Sequence, residues 1–138
     1  MFGAAEGCVF ETTEQNGKPV TAIRSGPVLE TAMRGMRGAV AALAEAGNDV
    51  IVDEVLWDPE ALVDYRRRLA PYELHTVGLI APLDVIEHRE RQRGDRDLGL
   101  ARSQYDNVHA GMTYDLELDA ETATPDQLAA KIKRAFGL

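Results

Sequence analysis

Apolar and polar residues along this chain fall into blocks whose period changes several times, and each block predicts an element. Cys8 to Thr13 and Pro19 to Ile23 carry β-formers on either side of Asn16-Gly17, a dipeptide that readily supplies the two left-handed residues of a tight hairpin turn. The expectation is an antiparallel β-hairpin, either a plain edge hairpin or a flap over a site. Ser25-Gly26-Pro27 then opens a helix, with proline suited to the first turn and Glu30 placed for the helix dipole. Leu29, Met33, Met36, Val40 and Leu43 recur at spacings of four and three, and Gly47 is a natural stop.

The period then collapses. In the stretch Asn48 to Glu54, the β-branched residues Val50, Ile51 and Val52 follow one another without a polar break. Such a run predicts a strand buried on both faces, as in parallel sheets covered by helices. Val55-Leu56-Trp57 reads as a short apolar loop, and Asp58-Pro59-Glu60 as the cap and first turn of a helix. That helix buries Leu62, Tyr65 and Leu69, shows Arg66, Arg67 and Arg68 largely to water, and ends before Pro71. Leu74 to Ile80 is a second buried strand and Pro82 to Arg93 a helix. Leu98 to Val108 is another helix, with Leu98, Ala101, Tyr105 and Val108 inward. His109-Ala110-Gly111-Met112 turns the chain into a strand of clean alternation, with Tyr114, Leu116 and Leu118 inward and Asp115, Glu117 and Asp119 outward. Thr124-Pro125-Asp126-Gln127 is a capping box for a last helix carrying Leu128, Ile132 and Phe136.

Strand, helix, strand, helix in this order predicts an α/β fold: a parallel sheet flanked by helices, its last strand on the outer side, with an N-terminal β-hairpin. At 138 residues this is one domain, residues 1–138. A net charge of −8 argues against coating a nucleic acid. The single cysteine, Cys8, excludes an internal disulfide, suits a reducing cytoplasm and reads as a small apolar filler. No apolar run approaches the roughly 20 residues that span a bilayer, so no membrane partner is expected.

Two places carry candidate chemistry. The first is the end of the Val50–Val52 run, where Asp53 and Glu54 stand together. Ligands of open parallel sheets bind outside the carboxyl ends of the strands, and an Asp there helps to hold Mg²⁺ in P-loop phosphotransferases. The same pair also reads as a strand end capped by solvated acids. The second place is Glu87 to Arg96, with arginines at 89, 91, 93 and 96. On a continued helix, Arg89, Arg93 and Arg96 share a face, and guanidinium forks match phosphate oxygens. Interleaved Glu87, Glu90 and Asp95 equally describe a salt-bridged surface helix.

Ala44-Glu45-Ala46-Gly47 leading into Val50-Ile51-Val52-Asp53-Glu54-Val55, then Arg93-Gly94-Asp95-Arg96, then His109-Ala110-Gly111 with Tyr114-Asp115, resemble the chloramphenicol 3-O-phosphotransferase family, a branch of the P-loop kinases. The resemblance runs from about Glu6 onward and corresponds to the later part of a family member. It implies a P-loop-kinase-like sheet, ATP and Mg²⁺ as cofactors, and a small hydroxylated molecule as acceptor. It implies that Asp53 is the Mg²⁺-side carboxylate, acting through water, and that Arg89, Arg93 and Arg96 serve the lid and the phosphates. Arg91 has no such counterpart and is surface. The family's G-x-x-x-x-G-K-[ST] cradle and general-base aspartate have no match in these 138 residues; Gly17-Lys18-Pro19 is a turn. The sheet is therefore expected to be incomplete, lacking the strand that flanks Val50–Val52.

Two functions follow. One is an ATP-dependent O-phosphotransferase, truncated and inactive as written. The other is a non-catalytic remnant that serves as an interaction or dimerisation module. The isolated chain is expected to be unstable or self-associated through the incomplete sheet, because unpaired strand edges and exposed apolar surface attract partners.

Overall fold

A computed structural model describes residues 4–95 and 97–138. After a short 3₁₀ turn at Ala4–Glu6, strands β1 (Cys8–Gln15) and β2 (Lys18–Ser25) pair antiparallel, from Cys8 opposite Ser25 to Gln15 opposite Lys18. The two residues between them, Asn16 (φ 52°) and Gly17 (φ 72°), are both left-handed, as a two-residue hairpin turn with the strands' own twist requires. Helix α1 (Pro27–Glu45) has its proline in the first turn, and helix α2 (Pro59–Arg68) is capped by the Asp58 carboxylate, which accepts from the Glu60 N–H at 3.0 Å.

These two helices make the apolar core. Val40, Tyr65 and Leu69 are buried against one another, with Ala41, Ala44, Leu56 and Leu74 packed around them. Leu62 is buried as well, so the inward face expected of α2 is the one observed. The inward face of α1 is rotated from the expected one. Met36 and Leu43 are exposed, while Arg37 turns in and bonds Asp64 of α2. An ion pair between the helices sets the rotation that apolar spacing alone assigned otherwise.

The second sheet is parallel. Strand β3 (Val77–Ile80) pairs with β4 (Leu116–Asp119), Val77 beside Leu116 and Ile80 beside Asp119. Thr76 and Asp115 lock its start: the Asp115 carboxylate accepts from the Thr76 N–H at 2.7 Å and from its hydroxyl at 2.6 Å. Those two bonds also hold the Asp115 carboxyl below its usual range, against the opposing effect of burial. Along the final strand segment, Tyr114, Leu116 and Leu118 are more buried than Asp115, Glu117 and Asp119, as the alternation predicts.

Between the two strands run helices α3 (Leu83–Arg93) and α4 (Leu100–Tyr105), and helix α5 (Pro125–Phe136) closes the chain behind its capping box. Glu87 and Glu90 of α3 are buried, not solvated. The Glu90 carboxylate accepts from the N–H groups of Gly99 (2.9 Å) and Ala101 (2.8 Å), so it caps the start of α4. Glu87 pairs with Arg102 and, at 3.5 Å, with Lys18. Thr21 of β2 is fully buried where the hairpin meets this unit, donating to the Leu98 carbonyl at 2.7 Å. Gly99 has φ +94°, and a Cβ there would stand 2.4 Å from the Pro19 carbonyl oxygen.

Two further expectations are corrected. Val50–Val52 is not a strand: no ladder pairs it among the described residues, and Ile51 is 98% exposed, with Val50 and Val52 also exposed. A buried central strand needs backbone partners on its edges and side chains over its faces, and none of the described elements supplies them. Helix α4 is shorter than Leu98–Val108, and its buried residue is Leu100, with Leu98 and Tyr105 exposed. Capping by Glu90 starts this helix later and turns it. Of the arginine triplet, Arg66 and Arg67 are exposed as expected and Arg68 is partly buried, and all three are also bonded. Arg66 donates to the Thr113 carbonyl at 2.6 Å, and the other two bond Asp64.

Candidate active site

The loop between α1 and α2 opens onto a groove of about 610 Å³. Leu29 and Met33 of α1 and Leu56 and Trp57 of the loop supply its apolar lining. At one end three guanidiniums meet one carboxylate. Arg37 Nε and Arg68 Nε each donate to Asp64 Oδ2 at 2.9 Å, and Arg67 donates to Oδ1. The Arg37 bond, aided by Arg68 and Arg67 and opposed by burial, holds the Asp64 carboxyl well below the usual carboxylate range. Nearer the loop, Glu54 accepts from the Tyr65 hydroxyl at 2.7 Å. Burial first, and then the bond to Glu54, push the Tyr65 hydroxyl well above its ordinary pKa.

Sequence reasoning singled out Asp53 rather than Glu54. Asp53 is exposed just after the Val50–Val52 run, and no hydrogen bond or ion pair with another described residue ties it down. Arg89 of α3 stands at the carboxyl end of β4, donating to the carbonyls of Ala120 (2.8 Å) and Glu121 (2.9 Å). With Asp84, His88, Arg91 and Gln92 it lines a second, shallow groove of about 570 Å³. Arg93 is exposed on the last turn of α3 and pairs with Asp95 at 3.2 Å. Arg96 lies outside the described residues. Neither groove is lined by Asp53 or by Arg93.

His109, in the left-handed region at φ 76°, shares a 2.7 Å hydrogen bond between its Nδ1 and the Tyr114 hydroxyl. The bond spans the turn that delivers the chain into β4, which gives His109 a local structural task. Burial, and secondarily the charge of Glu117, raise the pKa of Tyr114.

The cluster around Asp64 was only half legible in the sequence. Asp64, Arg67 and Arg68 stand three and four residues apart, the spacing at which charges pair on one helix. Arg37 is 27 residues away from Asp64 and gave no signal. The description "Chloramphenicol phosphotransferase-like protein" matches residues 8–137, nearly the whole chain. This chain belongs to the chloramphenicol phosphotransferase-like family. Two curated proteins of Mycobacterium tuberculosis are each 35% identical over 124 residues: "Putative O-phosphotransferase Rv2636" from strain H37Rv and "Putative O-phosphotransferase MT2714" from strain CDC 1551. The matched stretch is 89% of this chain and 55% of either relative, so the chain spans about half the length of the relatives it matches. Among the described residues no helix is long and apolar enough to cross a membrane, and no group of three or more His, Cys, Asp or Glu converges as a ready metal cage.

Proposed function

We propose that this chain carries the acceptor-binding and phosphate-neutralising part of an ATP-dependent O-phosphotransferase acting on a hydroxyl of a small molecule in the cytoplasm. The observation that carries the reading is the family match over residues 8–137, which runs through both the Asp53 segment and the arginines of α3. The groove between α1 and α2 supports it, since about 610 Å³ lies within the range of small-molecule sites. Mg²⁺ takes one or two carboxylates together with phosphate oxygens and water, and an exposed, untied Asp53 suits that donor set. When bound there, the ion supplies positive charge at the phosphate oxygens. Arg89, Arg93 and Arg96 then offset the charge spread over the transferring group. Arg89 spends N–H groups on two carbonyls yet keeps its full charge and its remaining donors.

The phosphate cradle of such enzymes, a run of backbone N–H groups and a lysine at a helix N-terminus, has no counterpart in the 138 residues. In this reading a further segment supplies it, and its strand lies along Val50–Val52. The exposure of Ile51, Leu79 and Ile80 supports that arrangement and the self-association expected without it. The test is transfer of labelled γ-phosphate to a panel of hydroxylated compounds. The 138-residue chain is expected to be silent, lacking both cradle and general base, the latter alone worth roughly 10² to 10⁴ in rate. The chain extended upstream by its own reading frame, with a G-x-x-x-x-G-K-[ST] segment, is expected to be active and to lose most activity in Asp53→Ala and in Arg96→Ala. Mg²⁺-dependent transfer by the purified monomeric 138-residue chain overturns the need for a further segment. An extended, folded chain with no turnover overturns the phosphotransferase reading and leaves an interaction module.

A further inference from the structure

We propose that the groove between α1 and α2 selects acceptors that carry an anionic group, a carboxylate or a phosphate, at the end opposite their hydroxyl. Each guanidinium offers five N–H donors, and among the described residues Arg37, Arg67 and Arg68 each have one hydrogen-bond partner, Asp64. Three positive charges around one negative leave this end with a surplus of two. Arg34 lines the same groove and, among the described residues, bonds only the Thr31 hydroxyl, at 3.1 Å. A structural ion pair between the helices needs only Arg37 and Asp64, whose side chains are 12% and 14% exposed. Arg67, at 74%, stands in water with most of its donors unused. Planar forks with unused parallel N–H groups are the fitting receptor for a second carboxylate or a phosphate.

The groove also holds carboxylates, but they lie elsewhere. Glu54, Asp58 and Glu60 sit on the loop and the first turn of α2. Glu54 is bonded by Tyr65 and Asp58 by the Glu60 N–H, while Glu30 on α1 accepts from Ser25 at 3.3 Å. Eight residues separate Glu60 from Arg68, about 12 Å along the helix at 1.5 Å per residue. Charge is thus divided along α2, acidic at its start and basic at its last turn, with Leu29, Met33, Leu56 and Trp57 also lining the groove. An acceptor with its hydroxyl at the acidic end and its anion among the arginines fits this division. The placing of the hydroxyl rests on the phosphotransferase reading; the anion preference does not.

Trp57 makes the test direct. It is the only tryptophan of the chain, it lines the groove and it is partly exposed, so quenching of its fluorescence reports occupancy without any nucleotide. The 138-residue chain is titrated with 3-[4-(hydroxymethyl)phenyl]propanoate, with the matching propanamide, and with 2-[4-(hydroxymethyl)phenyl]ethyl phosphate. Ligand-observed saturation-transfer NMR provides a second reading. At least one anion is expected to bind about tenfold or more tighter than the amide, and the tighter of the two identifies the anion. The preference is expected to fall within about twofold in the double variant Arg67→Gln/Arg68→Gln, which leaves the Arg37–Asp64 pair in place, and to weaken in about 0.5 M salt. Equal binding of anions and amide, a preference that survives the double variant, or no binding of any probe up to about 10 mM overturns the proposal. Anion-selective binding by a chain whose extended form transfers no phosphate leaves this inference standing and removes the phosphotransferase reading.

Discussion

Asp64→Asn removes one charge and changes no shape, which makes it the sharpest probe of how α1 and α2 are held. In the native protein Asp64 and Arg37 are nearly buried, Arg68 is about one-third exposed and Arg67 largely exposed. Breaking a buried pair by removing one partner costs about 3 to 5 kcal/mol. Asn keeps an acceptor oxygen and the groove admits water, so the Arg37 contact is worth about 2 to 3 kcal/mol here. The Arg68 contact adds roughly 0.5 kcal/mol, and the exposed Arg67 contact nothing measurable. The expected loss is about 3 kcal/mol, or a fall in Tm of about 10 °C for a chain of this size. Urea unfolding followed by circular dichroism measures it. The pH dependence carries an independent sign. A carboxyl held low in the folded state contributes its full stability above the unfolded pKa of about 3.9 and loses it as pH falls toward the folded value. The gap between native protein and Asp64→Asn is therefore constant from neutrality down to about pH 5 and narrows on the acid side of about pH 4. A loss below about 0.5 kcal/mol at neutral pH, typical of an exposed pair, would refute the placement of Arg37 and Asp64 as the clasp between the helices.

Other elements give sharp expectations as well. Glu90→Gln leaves one of the Gly99 and Ala101 N–H groups facing an amide NH₂, and should cost about 2 to 3 kcal/mol in the same unfolding assay; an unchanged midpoint would mean that Glu90 does not cap α4. Gly99→Ala meets both a left-handed backbone and the Pro19 carbonyl, so a loss of at least about 2 kcal/mol is expected, and a neutral result would place the hairpin further from α4. Ile51→Lys should change the stability of the 138-residue chain by less than about 0.5 kcal/mol while lowering its association in sedimentation velocity. A large destabilisation would show that Ile51 is buried in the chain by itself.

The turns and helix caps could be read from the sequence. Asn16-Gly17 fixes the hairpin, Asp58-Pro59 starts α2, Thr124 and Gln127 cap α5, and the alternation from Tyr114 to Asp119 announces β4. Turns and caps are satisfied by local hydrogen bonds and dihedral preferences, so their cause lies within the stretch that is read. Family membership was legible too, because it rests on ordered stretches of sequence rather than on contacts. What the chain does with its charges was not. Whether Glu87 and Glu90 face water or cap a helix, and whether Arg37 belongs to a polar or an inward face, depends on residues 9 to 27 positions away or more. The spacing of one helix carries no record of its partner. Val50–Val52 shows the limit most plainly. Three β-branched residues state a preference for extended backbone, but a strand is made by the hydrogen bonds of its neighbours. No described element supplies them, and a run that reads as the most buried of the chain stands open to water.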